Sequence, residues 1–122
     1  MNIFYYNKWR GVRVPEVHEC FLRLDEEQID SIEKGDEVWL DLEPYYHHGK
    51  VYGYSKVTIK DIDQTENNIR YSFESKQCSG FFTHTKGSIL NKQIWKLTDE
   101  KKLEDLIEQY QDKITSIHTR GW

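Results

Sequence analysis

Residues 37–60 read EVWLDLEPYYHHGKVYGYSKVTIK, and the alternation within this stretch decides the fold. Successive side chains of a strand point to opposite faces. Glu37–Glu43 therefore sets Val38, Leu40 and Leu42 on one face and Glu37, Trp39, Asp41 and Glu43 on the other. Val51–Asp63 repeats the pattern, with Val57 and Ile59 inward and Tyr52, Tyr54, Lys56, Thr58 and Lys60 outward. Two alternating runs joined across Pro44 and Gly49 predict an antiparallel hairpin. Matching the apolar faces sets Leu40 opposite Val57 and Val38 opposite Ile59. The same register sets Asp41 opposite Lys56, Glu37 opposite Lys60 and Glu43 facing Tyr54. Cross-strand pairs of opposite charge stabilise a sheet by ~0.2–1 kcal/mol each.

Working outward, Gln64–Asn68 carries turn residues, and Ile69–Ser75 returns as a strand with Ile69, Tyr71 and Phe73 on one face. Gly80–Leu97 holds one or two further strands, broken near Gly87. Upstream, Ile3–Tyr6 reads as a short strand and Lys8–Pro15 as a basic loop or irregular strand. His18–Leu24 alternates, with Cys20, Leu22 and Leu24 on one face, and is expected to be extended. Asp25 followed by Gln28 forms a capping box for a short acidic helix carrying Ile29 and Ile32, with Gly35 at its end. Thr98 then caps a long C-terminal helix, with Asp99 and Glu100 in its first turn. Leu103, Leu106, Ile107, Tyr110, Ile114 and Ile117 line one face of that helix, spanning residues 98–118 and roughly five turns. An amphipathic helix beside a sheet is expected to cover it.

The expected fold is α+β: a curved antiparallel sheet or small partly open barrel, with a short acidic helix and a long C-terminal one. The runs KGDEVWLDL (34–42) and KVTIKDID (56–63) resemble the opening strands of SH3-like barrels. The resemblance covers only these two runs and brings no functional residues with it. Residues 1–122 are expected to form a single domain.

The chain lacks alanine and holds four Trp, eight Tyr and five Phe, a balance that favours strands over a helix bundle and a folded core over disorder. Its net charge of −4 is unevenly spread. Residues 1–24 sum to +2, 25–43 to −8, 44–60 to +3, 61–97 to +1 and 98–122 to −2. General attraction to nucleic acid or acidic lipid is not expected of such a chain. The opening MNIFYYNKWR has no apolar run of a secretion signal, and no stretch approaches the ~20 apolar residues of a membrane span, so a cytoplasmic location is expected.

Catalytic and metal motifs are absent: there is no GxSxG, no phosphate-cradling glycine loop and no HExxH. Cys20 and Cys78 lack CxxC spacing and read as buried free thiols. His47 and His48 are adjacent, so on a strand they point apart and share no metal. His18, Cys20 and His84 are the residues on which a catalytic reading would rest, and only folding could bring them together. Neither a cofactor nor a bound metal is expected.

Two binding readings remain. In the first, the chain is a non-enzymatic inhibitor or immunity-type protein that docks an acidic, aromatic surface onto a basic, nucleic-acid-handling partner. Trp39, Tyr45 and Tyr46 would anchor it beside His47 and His48, while Glu26, Glu27, Asp30 and Glu33 steer association. In the second, Tyr52 and Tyr54 stack bases of single-stranded nucleic acid, with Lys56 and Lys60 on its backbone.

Overall fold

Fourteen consecutive residues, Val51–Gln64, form strand β5 and organise the sheet. The structure is a computed structural model that describes residues 2–41, 50–75, 79–86 and 94–116. Strands β1 (Asn2–Asn7), β2 (Val12–Arg13), β3 (Phe21–Arg23) and β4 (Glu37–Asp41) precede β5. Strands β6 (Asn68–Glu74), β7 (Ser79–Thr85), β8 (Ile94–Leu97) and β9 (Thr115–Ser116) follow it. Helix α1 spans Glu26–Asp30, α2 spans Glu100–Ile114, and a 3-10 helix covers Pro15–Cys20.

Tyr54 pairs with Ile3 of β1 and with Asp41 of β4, so these two strands lie on opposite edges of β5. Further along, Thr58 pairs with Glu37 of β4 and Glu74 of β6. Strands β1 and β6 thus share one edge of β5 in succession. The ladder to β6 shifts register between Ile59 and Asp61, and an irregularity of this kind bends a strand and increases its twist. β7 extends the sheet from β6, β8 and then β3 extend it from β4, and β2 and β9 flank β1, all antiparallel. The result is a curled half-barrel, mostly strand with few helices.

Each face of the curl carries a buried core over part of its area. One core gathers Val38, Leu40, Val57, Ile59, Tyr71, Phe73 and Phe82 beneath Ile29 and Ile32. The other gathers Ile3, Val17, Cys20, Phe21, Trp39 and Tyr54 beneath Leu103, Leu106 and Ile114 of α2. Gly53 lets β1 lie close over β5: a Cβ there would press on the Ile3 carbonyl oxygen and sit 2.9 Å from Phe4 Cα.

Several expectations hold. The capping box is formed, Asp25 accepting from the Gln28 amide at 2.8 Å and the Gln28 side chain accepting from the Asp25 amide at 3.0 Å. Ile69, Tyr71 and Phe73 share the buried face of β6.

Others are corrected. The 37–41 strand pairs two residues out of the expected register, with Val38 opposite Val57 and Leu40 opposite Ser55. A two-residue slip keeps every side chain on its own face, so the apolar alternation could not distinguish the two registers. Trp39 and Tyr54, expected outward, are buried, because the 3-10 helix and α2 cover that face. The segment before β3 is helical where an extended chain was expected. Pro15 stands in its first turn, where a missing N–H costs nothing. The strand phase starts afresh at Phe21, which turns Leu22 out to 55 % exposure.

The α2 cap is Asp99, accepting from the Lys102 amide, whereas Thr98 donates its hydroxyl to the Cys20 carbonyl. Helix α2 stops at Ile114, with non-helical geometry at Tyr110, short of the expected 98–118 span. Gly35 stands beyond α1 at φ +96° and donates to the Ile59 carbonyl, closing the turn into β4 and not the helix end. Leu42, Glu43, Pro44, Gly87 and Ile117 lie outside the described residues.

Candidate functional site

Helix α1 and the turn after it carry the carboxylates expected to steer a partner. Glu27, Asp30 and Glu33 are exposed and Glu26 is partly so. The local fold uses two neighbouring acids: Asp25 caps the helix, and Asp36 accepts from the Glu33 amide. Among the described residues, neither Glu27 nor Glu33 forms an ion pair. The acids of β4 and β6 differ, since Glu37 pairs with Lys56 at 3.4 Å and Glu74 with Lys60 at 3.6 Å. Part of the charge contrast between residues 25–43 and 44–60 is thus offset within the sheet by the Glu37–Lys56 pair, and the acids of α1 and the turn after it have no lysine or arginine partner among the described residues.

His84 lies beneath that surface. It is on β7, only 1 % exposed, and its Nε2 stands 3.9 Å from both Glu26 Oε1 and Asp30 Oδ1. Among the described residues, neither ring nitrogen has a hydrogen-bond partner. Glu26 and Asp30 are four apart on α1, a spacing that sets them on one face. This pair is legible in the sequence. Its meeting with His84 is not, because that requires the β6–β7 register, Ile69 opposite His84, and the seating of α1 on the same core.

The opposite face bears an aromatic cluster that sequence reading missed. The His18 ring makes a hydrogen bond with the Tyr54 hydroxyl and packs on Tyr5 and Trp95, with ring centres 5.1 and 5.5 Å away. Tyr52 stacks on Tyr5 at 5.9 Å, and the Arg23 guanidinium sits 5.3 Å from the centre of the Trp95 ring. Burial raises the Tyr54 phenol far above its ordinary range, and Tyr5 and Asp41 add to the effect. Tyr54 stays a neutral phenol.

The remaining sequence candidates separate. Trp39 is 8 % exposed and packs edge-on against Phe21, so it supports the second core from within. Of the proposed base-stacking group, Tyr54 is buried, Tyr52 is half-buried, and Lys56 and Lys60 are engaged with carboxylates. Cys20 is buried in the second core with its thiol directed at the Glu16 carbonyl, and burial raises its pKa. His18 belongs to that side and His84 to the α1 side, so the three do not converge. Tyr45, Tyr46, His47, His48, Cys78 and His118 lie outside the described residues. Among the described residues, no group of three or more His, Cys, Asp or Glu side chains could hold a metal ion. No described helix is long and apolar enough to cross a membrane. In comparisons with protein-family models, curated proteins and solved structures, nothing matches the chain.

Proposed function

We propose that the chain is a non-enzymatic protein-binding module, an inhibitor or immunity-type protein that docks α1 and the turn after it onto a basic, nucleic-acid-handling partner. One observation carries this reading: among the described residues Glu27 and Glu33 are exposed and form no ion pair, while Glu37 and Glu74 of the sheet are paired with lysines. Unmatched surface charge of one sign speeds encounter with the opposite sign and selects among partners. Tyr45, Tyr46, His47 and His48 supply the aromatic half of the contact in this proposal. Trp39 has no direct part in it, because it is buried.

The test begins with affinity capture from the native host, followed by association kinetics with the captured protein over a salt series. Reversing Glu26, Glu27, Asp30 and Glu33 together to lysine should lower the on-rate at least about tenfold at low salt and flatten its salt dependence. An unchanged on-rate removes the electrostatic steering on which this reading rests. Titration with short fluorescent oligonucleotides at low salt separates it from the single-stranded nucleic-acid reading, which requires saturable binding lost on Tyr52→Ala.

A further inference from the structure

The turn between β1 and β2 carries cations that no described carboxylate neutralises. Residues 1–15 and 50–60 contain no acid, yet Lys8, Arg10, Arg13 and Lys50 are all exposed there. Among the described residues none of these four forms an ion pair, whereas Lys56, Lys60 and Lys102 each do. Among them stands Trp9, 59 % exposed, with the Lys50 ammonium 5.6 Å from the centre of its ring. We propose that this turn is a binding site for single-stranded nucleic acid, with phosphates on the four cations and a base stacked on Trp9.

The turn is built before any ligand arrives. Asn7 Oδ1 accepts from the Trp9 and Arg10 amides at 3.1 and 3.2 Å. The Lys8 amide donates to the Lys50 carbonyl at 2.8 Å, which holds the start of β5 against the turn and sets these two lysines side by side along the backbone. Arg13 lies opposite Tyr6 across the β1–β2 pair, so the basic surface continues onto β2 at the edge of the sheet. Lys56 and Lys60, engaged with carboxylates, take no part.

The chemistry selects the occupant. Every base has a π-face that an indole can stack on, and guanidinium forks match phosphate oxygens. A duplex hides those base faces, so the strand must be single. An exposed turn has no recess for the desolvated anchor of a protein interface. One indole also gives a bilayer too little apolar surface to hold.

The experiment is fluorescence anisotropy of a labelled oligothymidylate of about twelve nucleotides, titrated with the whole chain over a salt series. Saturable binding of one strand per chain is expected, and neutralising roughly four phosphates gives a log–log salt slope of about −2 to −3. Lys8→Glu/Arg10→Glu should weaken binding at least about tenfold and reduce that slope by about half. Trp9→Ala should weaken it at least about fivefold with the slope unchanged. These side chains are exposed, so both variants should keep the parent melting temperature. Tyr52→Ala should leave binding intact, which distinguishes this site from the nucleic-acid reading above. Absence of saturable binding at low salt, loss of binding on Tyr52→Ala, or an unweakened Lys8→Glu/Arg10→Glu variant overturns the site. Equal displacement of the strand by oligoglutamate or by phosphatidylserine vesicles does so too. The α1 docking proposal is tested on a captured partner, so the two stand or fall separately.

Discussion

Tyr71 shows how much one hydroxyl can reveal. Its ring stacks on Phe82 in the first core, and its hydroxyl donates to the Ile29 carbonyl at 2.6 Å, tying β6 to α1. Burial, with a further contribution from Asp30, pushes its pKa up to about 12. The folded state therefore keeps a proton that the unfolded chain releases from about pH 10. Stability from this residue is intact below pH 10 and is lost as pH rises towards about 12. Tyr71→Phe should cost about 1 kcal/mol at neutral pH. It should also flatten the alkaline loss, as measured by urea unfolding at pH 8, 10 and 11. Equal alkaline loss in the variant would assign that loss elsewhere. At this scale the sequence told which residues are apolar, and for Ile69, Tyr71 and Phe73 also which way they face. It misplaced Trp39 and Tyr54 because alternation marks a side of a strand without saying what covers that side.

Among the elements, α1 was the most legible, since a capping box is written in four consecutive residues and needs no tertiary partner. Asp25→Ala removes the cap and should destabilise the protein by about 1 kcal/mol. It should also raise amide exchange through residues 26–30 above that of the sheet, and exchange unchanged there would mean that packing alone holds the helix. Such fraying should leave the Glu37–Lys56 pair and β4 undisturbed. The hairpin of β4 and β5 was legible as a pair and not as a register. Its partner atoms depend on the length and path of the intervening turn, about which alternation is silent. Nor did the sequence reveal the 3-10 helix, because Pro15 permits a helical start as readily as it ends one. The His84 contact was hidden for a related reason: its three residues reach one point only after α1 and the β6–β7 hairpin are both in place.

For the whole molecule, the decisive fact is that two cores share β4 and β5. Leu40 belongs to one and Trp39 to the other, one peptide apart. Damage to either core must pass through the same backbone. Leu40→Ala and Leu103→Ala should each cost ~2–5 kcal/mol. Each should shift one shared transition, with tryptophan fluorescence and far-ultraviolet dichroism still coinciding. Separation of the two signals in either variant would mean that the cores melt independently. Gly53→Ala tests the same unity at the contact of β1 with β5. The added methyl has backbone on one side and the Phe4 ring on the other, so a loss of several kcal/mol is expected, at the severe end of the range for point substitutions.

The pairing of β1 with β9 also has a consequence in time. Asn2 faces Ser116 and Ile3 faces Thr115, so strands from opposite ends of the described chain meet in one sheet. On the ribosome, β1 emerges first and gains β5 only when residues 51–55 have appeared, and its last neighbour waits for residues 115–116. At about 5–20 residues per second, the interval between the first and last of these events is roughly 6–20 s. Throughout it, Ile3 and Phe4, both buried in the finished protein, lack part of their cover. Synthesis speed and chaperone supply, more than the final stability, should then govern how much of the newly made chain reaches its native form.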